Sequence, residues 1–268
     1  MIHSTAIIAE GASIGSDPTI GPYTVIDSNV RIGDGCRIGP HVTITGHTTL
    51  GRNARIHAGA VIGDEPQDYH YQGEESFTDI GDDCTIREYV TIHRGVQAGS
   101  RTTIGSNVML MAMCHIGHNC IIGDRVVIAN NTLLGGHVEI GPAAFVSGAV
   151  LLHQFVRIGT LAMIGGGSRL NQDVPPYCLF QLHVVQGLNT VGIKRAGITP
   201  PARKALKQAL KTFFASGQRR SVALDHIRQT LGDIPEIAAF ITFIEASKRG
   251  VVASRPGRAK QDNGIPTA

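Results

Sequence analysis

The fold is decided by residues 104–140, IGSNVMLMAMCHIGHNCIIGDRVVIANNTLLGGHVEI. An aliphatic residue recurs here at every sixth position, namely at Ile104, Leu110, Ile116, Ile122, Ile128, Leu134 and Ile140. The same register extends from Ile2 to Leu170, and 26 of its 29 sixth positions are Ile, Leu or Val. Such strict recurrence marks an internal repeat that builds the fold from one short unit.

The other positions of the repeat favour a parallel β-helix. Gly follows the aliphatic residue in 14 repeats, and the residue two places before it is usually small. Neither the 3.6-residue period of an amphipathic helix nor the two-residue period of a strand fits this spacing. Three hexapeptides, about 18 residues, would close one triangular coil, and successive coils would stack about 4.8 Å apart. We therefore expect a mainly β fold with a hexapeptide-repeat β-helix over residues 1–190.

Composition agrees with a narrow prism filled by small aliphatic side chains. The 268 residues contain no Trp, only 5% aromatic residues and 33 Gly. Four of the five cysteines occupy the small position of the repeat, at Cys36, Cys84, Cys114 and Cys120. The odd cysteine count and the lack of a CxxC pattern argue against disulfides and zinc clusters. These thiols are predicted to be small buried hydrophobic groups.

Two polar segments interrupt the repeat, near residues 63–79 and 93–103, and the register resumes after each. Loops on a rigid scaffold commonly carry function. We expect both segments to project from the coil close to a functional site.

The chain changes character after Leu170. Pro175 and Pro176 cannot donate ladder hydrogen bonds, so the repeat should stop there. A short extended passage to about Gly197 is expected to lead into a basic α-helical domain over residues 191–250. Its helices are predicted at about 200–215, 221–231 and 235–248, followed by a disordered tail at 251–268.

The formal net charge of +3 conceals an asymmetry between these parts. Residues 1–193 carry 10 basic and 16 acidic side chains, whereas residues 194–268 carry 14 and 5. No apolar run approaches the length that spans a membrane, and the N-terminus lacks signal-peptide features. We therefore expect a cytoplasmic protein without a transmembrane segment.

Histidines provide the candidate chemistry. His118, His137 and His153 are separated by 19 and 16 residues, each close to one coil, so they should line one face of successive coils. His115 adds a nearby imidazole. A histidine can act as a general base near neutral pH. Three histidines can also bind zinc between subunits, as in trimeric β-helical carbonic anhydrases. A purely structural ice-binding β-helix would instead show flat Thr ladders.

Several motifs together resemble the bacterial UDP-N-acetylglucosamine O-acyltransferase family, over about residues 1–250. They are Gln67-Asp68, Thr91 to Gly95, His115 to His118, Ala129 to Asn131, Gly136 to Val138, His153 to Phe155, Gln172 to Tyr177 and Gly192 to Arg195. The resemblance implies a left-handed β-helix, a homotrimer with clefts between subunits, and no metal or cofactor. It also implies transfer of a 3-hydroxyacyl group from acyl carrier protein to the sugar 3-hydroxyl, the first step of lipid A synthesis.

The resemblance also assigns roles residue by residue. His118 matches the general base, and the backbone N–H of Gly136 matches the oxyanion donor. Gly166 matches the position that limits the acyl chain, and Gly there implies a long chain. Residues that match contacts to the sugar nucleotide and acyl chain are Asp68, His115, His137, His153, Gln154, Asn189 and Arg195.

Three positions depart from the family pattern. Asn119 stands where an Asp usually follows the catalytic His, His70 replaces a common Lys, and Val191 replaces a common acid. Some relatives acylate a 3-amino sugar and form an amide. The residues leave the 3-hydroxyl and 3-amino acceptors both open. The N-acyltransferase of the same pathway would have an extra domain before its repeats, whereas here the repeat begins at Ile2.

The basic C-terminal helices suggest a protein partner. Acyl carrier protein is acidic and would be attracted by a surface formed by Arg203, Lys204, Lys207, Lys211, Arg219 and Arg220. Nucleic acid is not expected as a partner, because the aromatic platforms for bases are missing.

Overall fold

The computed structural model describes residues 1–254 and consists of a three-sided parallel β-helix followed by four helices. The chain passes in turn through three sheets, here called faces 1, 2 and 3, and then repeats the circuit. Every strand pair in the coil is parallel, as the hexapeptide repeat predicts.

The strands are mostly two residues long. Face 1 contains β1 (Ile7–Ile8), β4 (Val25–Ile26), β7 (Thr43–Ile44), β10 (Val61–Asp64), β13 (Thr91–His93), β16 (His115–Ile116), β19 (Leu133–Leu134), β22 (Leu151–Leu152) and β25 (Arg169–Leu170). Face 2 contains β2 (Ser13–Ile14), β5 (Arg31–Ile32), β8 (His47–Leu50), β11 (Phe77–Ile80), β14 (Arg101–Ile104), β17 (Ile121–Ile122), β20 (Glu139–Ile140) and β23 (Arg157–Ile158). Face 3 contains β3 (Thr19–Ile20), β6 (Arg37–Ile38), β9 (Arg55–Ile56), β12 (Thr85–Ile86), β15 (Met109–Leu110), β18 (Val127–Ile128), β21 (Phe145–Val146), β24 (Met163–Ile164), β26 (Cys178–Gln181) and β27 (Val184–Leu188).

The repeated aliphatic residues form the core. Each stacks on its counterpart one coil along, as Ile92 pairs with Ile116 and Ile116 with Leu134. From Ile20 onward these side chains are buried, whereas Ile2 is 49% exposed and Ile8 and Ile14 are half-buried. The coil is therefore closed along its sides and open at its first turn.

The corners explain the glycine of the repeat. The Gly after the aliphatic residue faces the next coil, and a β-carbon on Gly21 would lie 2.7 Å from the carbonyl carbon of Gly39. The left-handed backbone conformation falls two residues later, as at Asn107 (φ 58°) and Asn131 (φ 59°). Where the coils approach this closely only Gly fits, and the sharp bend is made by another residue.

Both interruptions of the repeat leave the same corner, between faces 1 and 2. One runs from the end of β10 at Asp64 to the start of β11 at Phe77. The other runs from the end of β13 at His93 to the start of β14 at Arg101. Face 2 closes without a gap around them, since Ile80 pairs with both Leu50 and Ile104. The coil thus places both loops side by side.

The C-terminal part begins with a hairpin on face 3, where β26 pairs antiparallel with β27. The helices are α1 (Thr190–Arg195), α2 (Pro200–Ala215), α3 (Arg220–Leu231) and α4 (Pro235–Glu245). The sequence analysis missed α1, which lies within the predicted extended passage; Asn189 caps it by accepting a hydrogen bond from Gly192 N–H. It also extended the last helix beyond Glu245. Thr199 caps α2 by accepting a hydrogen bond from Ala202 N–H.

The predicted disordered tail is wrong for residues 251–254. Val251 and Val252 are buried, and residues 173 and 251 form a parallel bridge at the end of the coil. The rest of the predicted tail, 255–268, lies outside the described residues. Residues 251–254 are ordered because Val251 and Val252 pack over the last coil, a contact that the local composition does not reveal. Within residues 1–254, no helix has the length and hydropathy needed to cross a membrane.

The cysteines behave as their place in the repeat predicts. Cys36, Cys84, Cys114 and Cys120 are buried in the prism, and Cys178 is buried at the start of β26. Burial raises the pKa of Cys84 to about 11 and that of Cys120 to about 12. These thiols therefore remain protonated at neutral pH, which disfavours nucleophilic or redox chemistry.

Candidate active site

The corner between faces 1 and 2 carries a groove of about 310 Å³ beneath the two loops. Its loop side is polar, and its far side is formed by leucines that point outward from face 1. The lining residues are Gln67, His93, His115, Gly117, His118, Leu133, Leu134, Gly135, Gly136, Leu151, Leu152 and Gln154. The groove thus combines imidazoles with an apolar strip along the coil axis.

His118 is held in one tautomer. Its Nδ1 lies 2.9 Å from Asn119 Oδ1, and the same oxygen accepts a hydrogen bond from Val96 N–H at 3.1 Å. Because Asn119 presents an oxygen there, His118 Nδ1 must carry the hydrogen, and Nε2 keeps its lone pair. The imidazole is only 6% exposed. Nε2 is therefore fixed as a proton acceptor at the groove.

Asp68 brings a carboxylate to the same nitrogen. Its Oδ2 lies 3.5 Å from His118 Nε2, while Oδ1 accepts a hydrogen bond from His70 N–H and lies 2.8 Å from His70 Nδ1. The His70 backbone and ring contacts lower the pKa of Asp68 below its ordinary value. An ionised Asp68 therefore lies beside the nitrogen of His118 that faces the groove.

Gly136 lies directly against the His118 ring. A β-carbon at Gly136 would come within 2.3 Å of His118 Nε2. Its carbonyl accepts from Phe155 N–H, whereas its own N–H has no acceptor among the described residues. A free N–H next to the proton acceptor can stabilise negative charge on a reacting group.

His115 and His93 form a second pair of imidazoles. Their ring centroids are 4.9 Å apart in an edge-to-face arrangement, and His115 Nδ1 lies 2.8 Å from Thr91 Oγ1. Burial, with smaller effects from His93 and His118, lowers the pKa of His115 to about 4. Burial also lowers the pKa of His93. Both rings are thus neutral hydrogen-bonding groups at pH 7.

The predicted ladder of three histidines holds only for its first two members. His137 packs edge-to-face on His118 with centroids 5.2 Å apart, and it stacks on Phe155 at 4.6 Å. The His137 side chain lines a second cleft of about 410 Å³, on the face 2 side of the corner. His153 is exposed and does not line either cleft. The three residues occupy different positions within their hexapeptides, so their side chains leave the corner in different directions.

The apolar side of the groove is formed by Leu133 and Leu151, which are 45% and 37% exposed. Gly166 lies at the corner between faces 3 and 1, about three coils beyond His115 and outside this set of lining residues. A β-carbon at Gly166 would meet no atom closer than Gly148 O at 3.3 Å. A side chain at this position therefore requires only a small shift of the Gly148 backbone, and the Gly166 backbone is not in the left-handed region.

Asn189 and Arg195 are not brought to the groove of their own chain. Asn189 is buried, its Nδ2 donates to Leu161 O at 2.9 Å, and its Oδ1 caps α1. Arg195 is exposed at the end of α1. Val191, one of the departures from the family pattern, is also exposed on this helix.

His93 and Gln67 line the groove but were not among the predicted site residues. Both belong to quoted motifs, and His93 occupies the hexapeptide position that Gly117 and Gly135 fill one and two coils further on. A polar ring at the point where the second polar segment leaves the repeat was the signal that could have identified it.

Two family models match the chain. The model described as bacterial transferase hexapeptide (six repeats) matches residues 11–46 and 101–136. The model described as UDP N-acetylglucosamine O-acyltransferase, domain 2, matches residues 173–252. The two models thus cover parts of both the coil and the C-terminal region.

Full-length relatives and solved structures agree. An acyl-[acyl-carrier-protein]–UDP-N-acetylglucosamine O-acyltransferase from Thermodesulfovibrio yellowstonii is 46% identical over 253 residues, covering 93% of this chain and 98% of the relative. The enzyme of that name from Chlorobaculum tepidum is 53% identical over 245 residues, covering 90% and 93%. The UDP-N-acetylglucosamine acyltransferase structure from Bacteroides fragilis superposes with a TM-score of 0.91 at 38% identity, covering 94% of this chain and 99% of that one. These solved structures are left-handed β-helices, which confirms the expected hand. The chain belongs to the acyl-[acyl-carrier-protein]–UDP-N-acetylglucosamine O-acyltransferase family.

Proposed function

We propose that the chain transfers a 3-hydroxyacyl group from acyl carrier protein to the 3-hydroxyl of UDP-N-acetylglucosamine, the first step of lipid A synthesis, with His118 as general base. The observation that carries the assignment of the base is the fixed tautomer of His118. Its Nε2 faces the groove with a free lone pair, because Nδ1 donates to Asn119. General-base catalysis needs a proton acceptor held in this way.

The transfer requires two proton transfers through His118, and it exchanges the C–S bond of the thioester for a C–O bond to the sugar. His118 Nε2 takes the proton from the sugar hydroxyl as that oxygen attacks the thioester carbonyl. The C–S bond then breaks, and the imidazolium returns the proton to the departing sulfur. The nearby Asp68 carboxylate supports the positive charge on His118 between these events.

Gly136 supplies the complementary charge stabilisation. Gly136 packs against the His118 ring, and we assign its N–H, which has no acceptor among the described residues, to the thioester oxygen as that oxygen becomes negative. His115, Gln154 and the neighbouring His93 are assigned to hold the sugar acceptor in the polar part of the groove. The combination needs no covalent enzyme intermediate.

The remaining substrate contacts are assigned to an intersubunit cleft. Asn189 and Arg195 lie away from the groove in one chain, so their contribution to a nucleotide would require a second copy. His137 and His153 lie on the outer side of the corner, where such a copy would close the cleft. We therefore include a homotrimer in the proposal. A guanidinium such as Arg195 suits a diphosphate.

Gly166 is proposed to leave room for a long acyl chain that follows Leu133 and Leu151. A β-carbon at this position needs only a small shift of the Gly148 carbonyl, and the backbone is not left-handed, so we assign its Gly to ligand space. Gly166→Met should shift the preferred donor to shorter acyl chains without unfolding the protein. Gly165→Met is a poor comparison, because its β-carbon would meet Gln181 Cγ at 2.8 Å.

An acidic acyl carrier protein is proposed to dock on the exposed side of α2. Lys204, Lys207 and Lys211 are exposed and spaced to share one helical face. Arg220 is partly committed to the fold instead, because its Nη2 donates to Val251 O at 3.0 Å. We therefore assign docking mainly to the α2 lysines.

The central test is the His118→Ala variant with UDP-N-acetylglucosamine, its 3-amino analogue, and acyl carrier proteins of several chain lengths. Mass spectrometry of the product identifies both acceptor and acyl group. We expect turnover by wild type on the hydroxyl acceptor and a loss of about 100-fold or more in the variant. Retained transfer in His118→Ala would remove the proposed base, and a product formed only from the amine would replace O-acylation by N-acylation.

A further inference from the structure

The segment that carries Asp68 is a loop with hydrogen bonds of its own. It lies between β10 and β11, and its internal hydrogen bonds include Tyr71 N–H to Asp68 O at 3.1 Å. Asp68 and Tyr71 therefore form one tight turn. Whatever holds Tyr71 also fixes the distance between the Asp68 carboxylate and His118.

Arg94 holds Tyr71 from the neighbouring loop. Its Nη2 and Nε donate to Tyr71 Oη at 2.7 and 3.1 Å, and the guanidinium carbon lies 5.3 Å from the Tyr71 ring centroid. The Tyr71 hydroxyl in turn donates to Glu74 O at 3.1 Å. The Tyr71 phenol oxygen thus connects the Arg94 guanidinium to the end of the turn and to the backbone at Glu74.

Arg94 is itself anchored to the coil. Its side chain is 13% exposed, Nη1 donates to Gly63 O at 3.0 Å, and its backbone N–H donates to Asp64 O. The space is closely fitted, since a β-carbon at Gly46 would lie 3.0 Å from Arg94 Nη1. A planar guanidinium with several donors is suited to this arrangement, and a Lys ammonium would not reproduce it.

We propose that Tyr71 and Arg94 are positioning residues for the acyl transfer reaction. Their contact fixes the turn of residues 68–71 so that Asp68 Oδ2 stands beside His118 Nε2. Neither residue lines the groove, so the effect on turnover passes through Asp68. This inference rests on the proposed role of His118.

The test is a double-mutant cycle between Tyr71→Phe and Asp68→Asn. Tyr71→Phe removes only the hydroxyl, and we expect a loss of about tenfold in kcat with little change in KM for the carrier protein. In the Asp68→Asn background the same change should cost less than about twofold, because the carboxylate it positions is gone. Tyr69→Phe is the matched control, since Tyr69 lies fully exposed on the same loop, and it should leave kcat unchanged.

Arg94→Lys provides a second variant with the same expected coupling to Asp68→Asn. Equal losses in both backgrounds would indicate a general effect on folding and would overturn the proposal. A Tyr71→Phe variant with wild-type kcat would overturn it as well. Neither result would affect the base assignment, which depends separately on His118→Ala.

Discussion

At the residue scale, the site depends on hydrogen bonds that no spacing rule can supply. The spacing of the histidines predicted that His118 would lie on one face of the coil with His137 and His153, and the family resemblance identified it as the base. The tautomer follows only from Asn119, whose oxygen is identified by Val96 N–H from another loop. Asn119 thus keeps the acceptor expected of an Asp but not its charge, while Asp68 brings a carboxylate to the other nitrogen.

Gly136 should not tolerate even one added methyl group. In Gly136→Ala the β-carbon would fall 2.3 Å from His118 Nε2 and displace the ring. We expect a loss of about 100-fold in kcat with an unchanged circular dichroism spectrum. The control is Gly166→Ala, whose nearest contact is Gly148 O at 3.3 Å and not the His118 ring, and it should retain activity on shorter acyl groups. Near-normal turnover by Gly136→Ala would contradict the geometry of this site.

His115 should make stability depend on pH. Its pKa is lowered by burial from 6.5 to about 4, so between these values the unfolded chain binds a proton that the folded chain does not. The contribution of neutral His115 is therefore lost as the pH falls from 6.5 towards 4, and it changes no further below that. Burial of His93 and His137 acts in the same direction.

The measurement is the urea midpoint of unfolding at several pH values between 7 and 4. His115→Gln should flatten the dependence, whereas His226→Gln, on the exposed side of α3, should leave the slope unchanged. A wild-type slope in His115→Gln would exclude His115 as a source of the pH dependence.

At the element scale, the sequence predicts the coil far better than the parts that follow it. Each strand is specified by a local six-residue rule, and neighbouring coils obey the same rule, so local and tertiary preferences coincide. The helix α1 is short and depends on the Asn189 cap, and residues 251–254 are ordered by contact with the last coil. Neither feature has a periodic signal. The positions of the two loops could be predicted because the repeat is interrupted there. The contact between them, from Arg94 to Tyr71, could not.

Core truncation within one coil should be costly. Leu110 is fully buried between coils, and Leu110→Ala should lower the free energy of unfolding by about 2–5 kcal/mol. Ile7→Ala removes the same class of side chain from the open first coil, where Ile7 is 64% exposed, and should cost less than about 1 kcal/mol. Chemical denaturation measures both. Equal losses of unfolding free energy in Leu110→Ala and Ile7→Ala would show that burial does not determine how much these side chains stabilise the fold.

At the scale of the whole molecule, Asp173 joins the coil to the chain that returns from the helices. Its carboxylate accepts hydrogen bonds from Arg157 N–H at 2.9 Å and from Ser247 Oγ–H at 2.7 Å, and the side chain is fully buried. Asp173→Ala should destabilise the fold by about 1–3 kcal/mol, because both donors lose their acceptor in a buried place. The exposed Asp225, paired with Arg228 on α3, gives the control. Thermal unfolding of the two variants tests the difference, and an Asp173→Ala midpoint no lower than that of Asp225→Ala would contradict this role.

The uneven charge of the molecule predicts a salt effect on the reaction. The coil region is net acidic and the C-terminal part net basic, with every Lys at or beyond Lys194. Rising ionic strength should reduce kcat/KM for acyl carrier protein, because long-range attraction is screened. Lys207→Glu with Lys211→Glu should weaken this dependence and raise KM for the carrier. If neither ionic strength nor the two substitutions changed kcat/KM, the basic helices would not be the docking site of the carrier.

The two ends of the coil differ in how well they are protected from pairing with another chain. The last turn is covered by Asp173, two prolines and the returning valines, whereas the first turn leaves its aliphatic residues partly exposed beside unpaired strand edges. Exposed strand edges are templates for adding another chain. Fibre growth, if the cap were removed by mutation, would therefore be polar, with each uncapped last coil meeting the first coil of the next molecule head to tail.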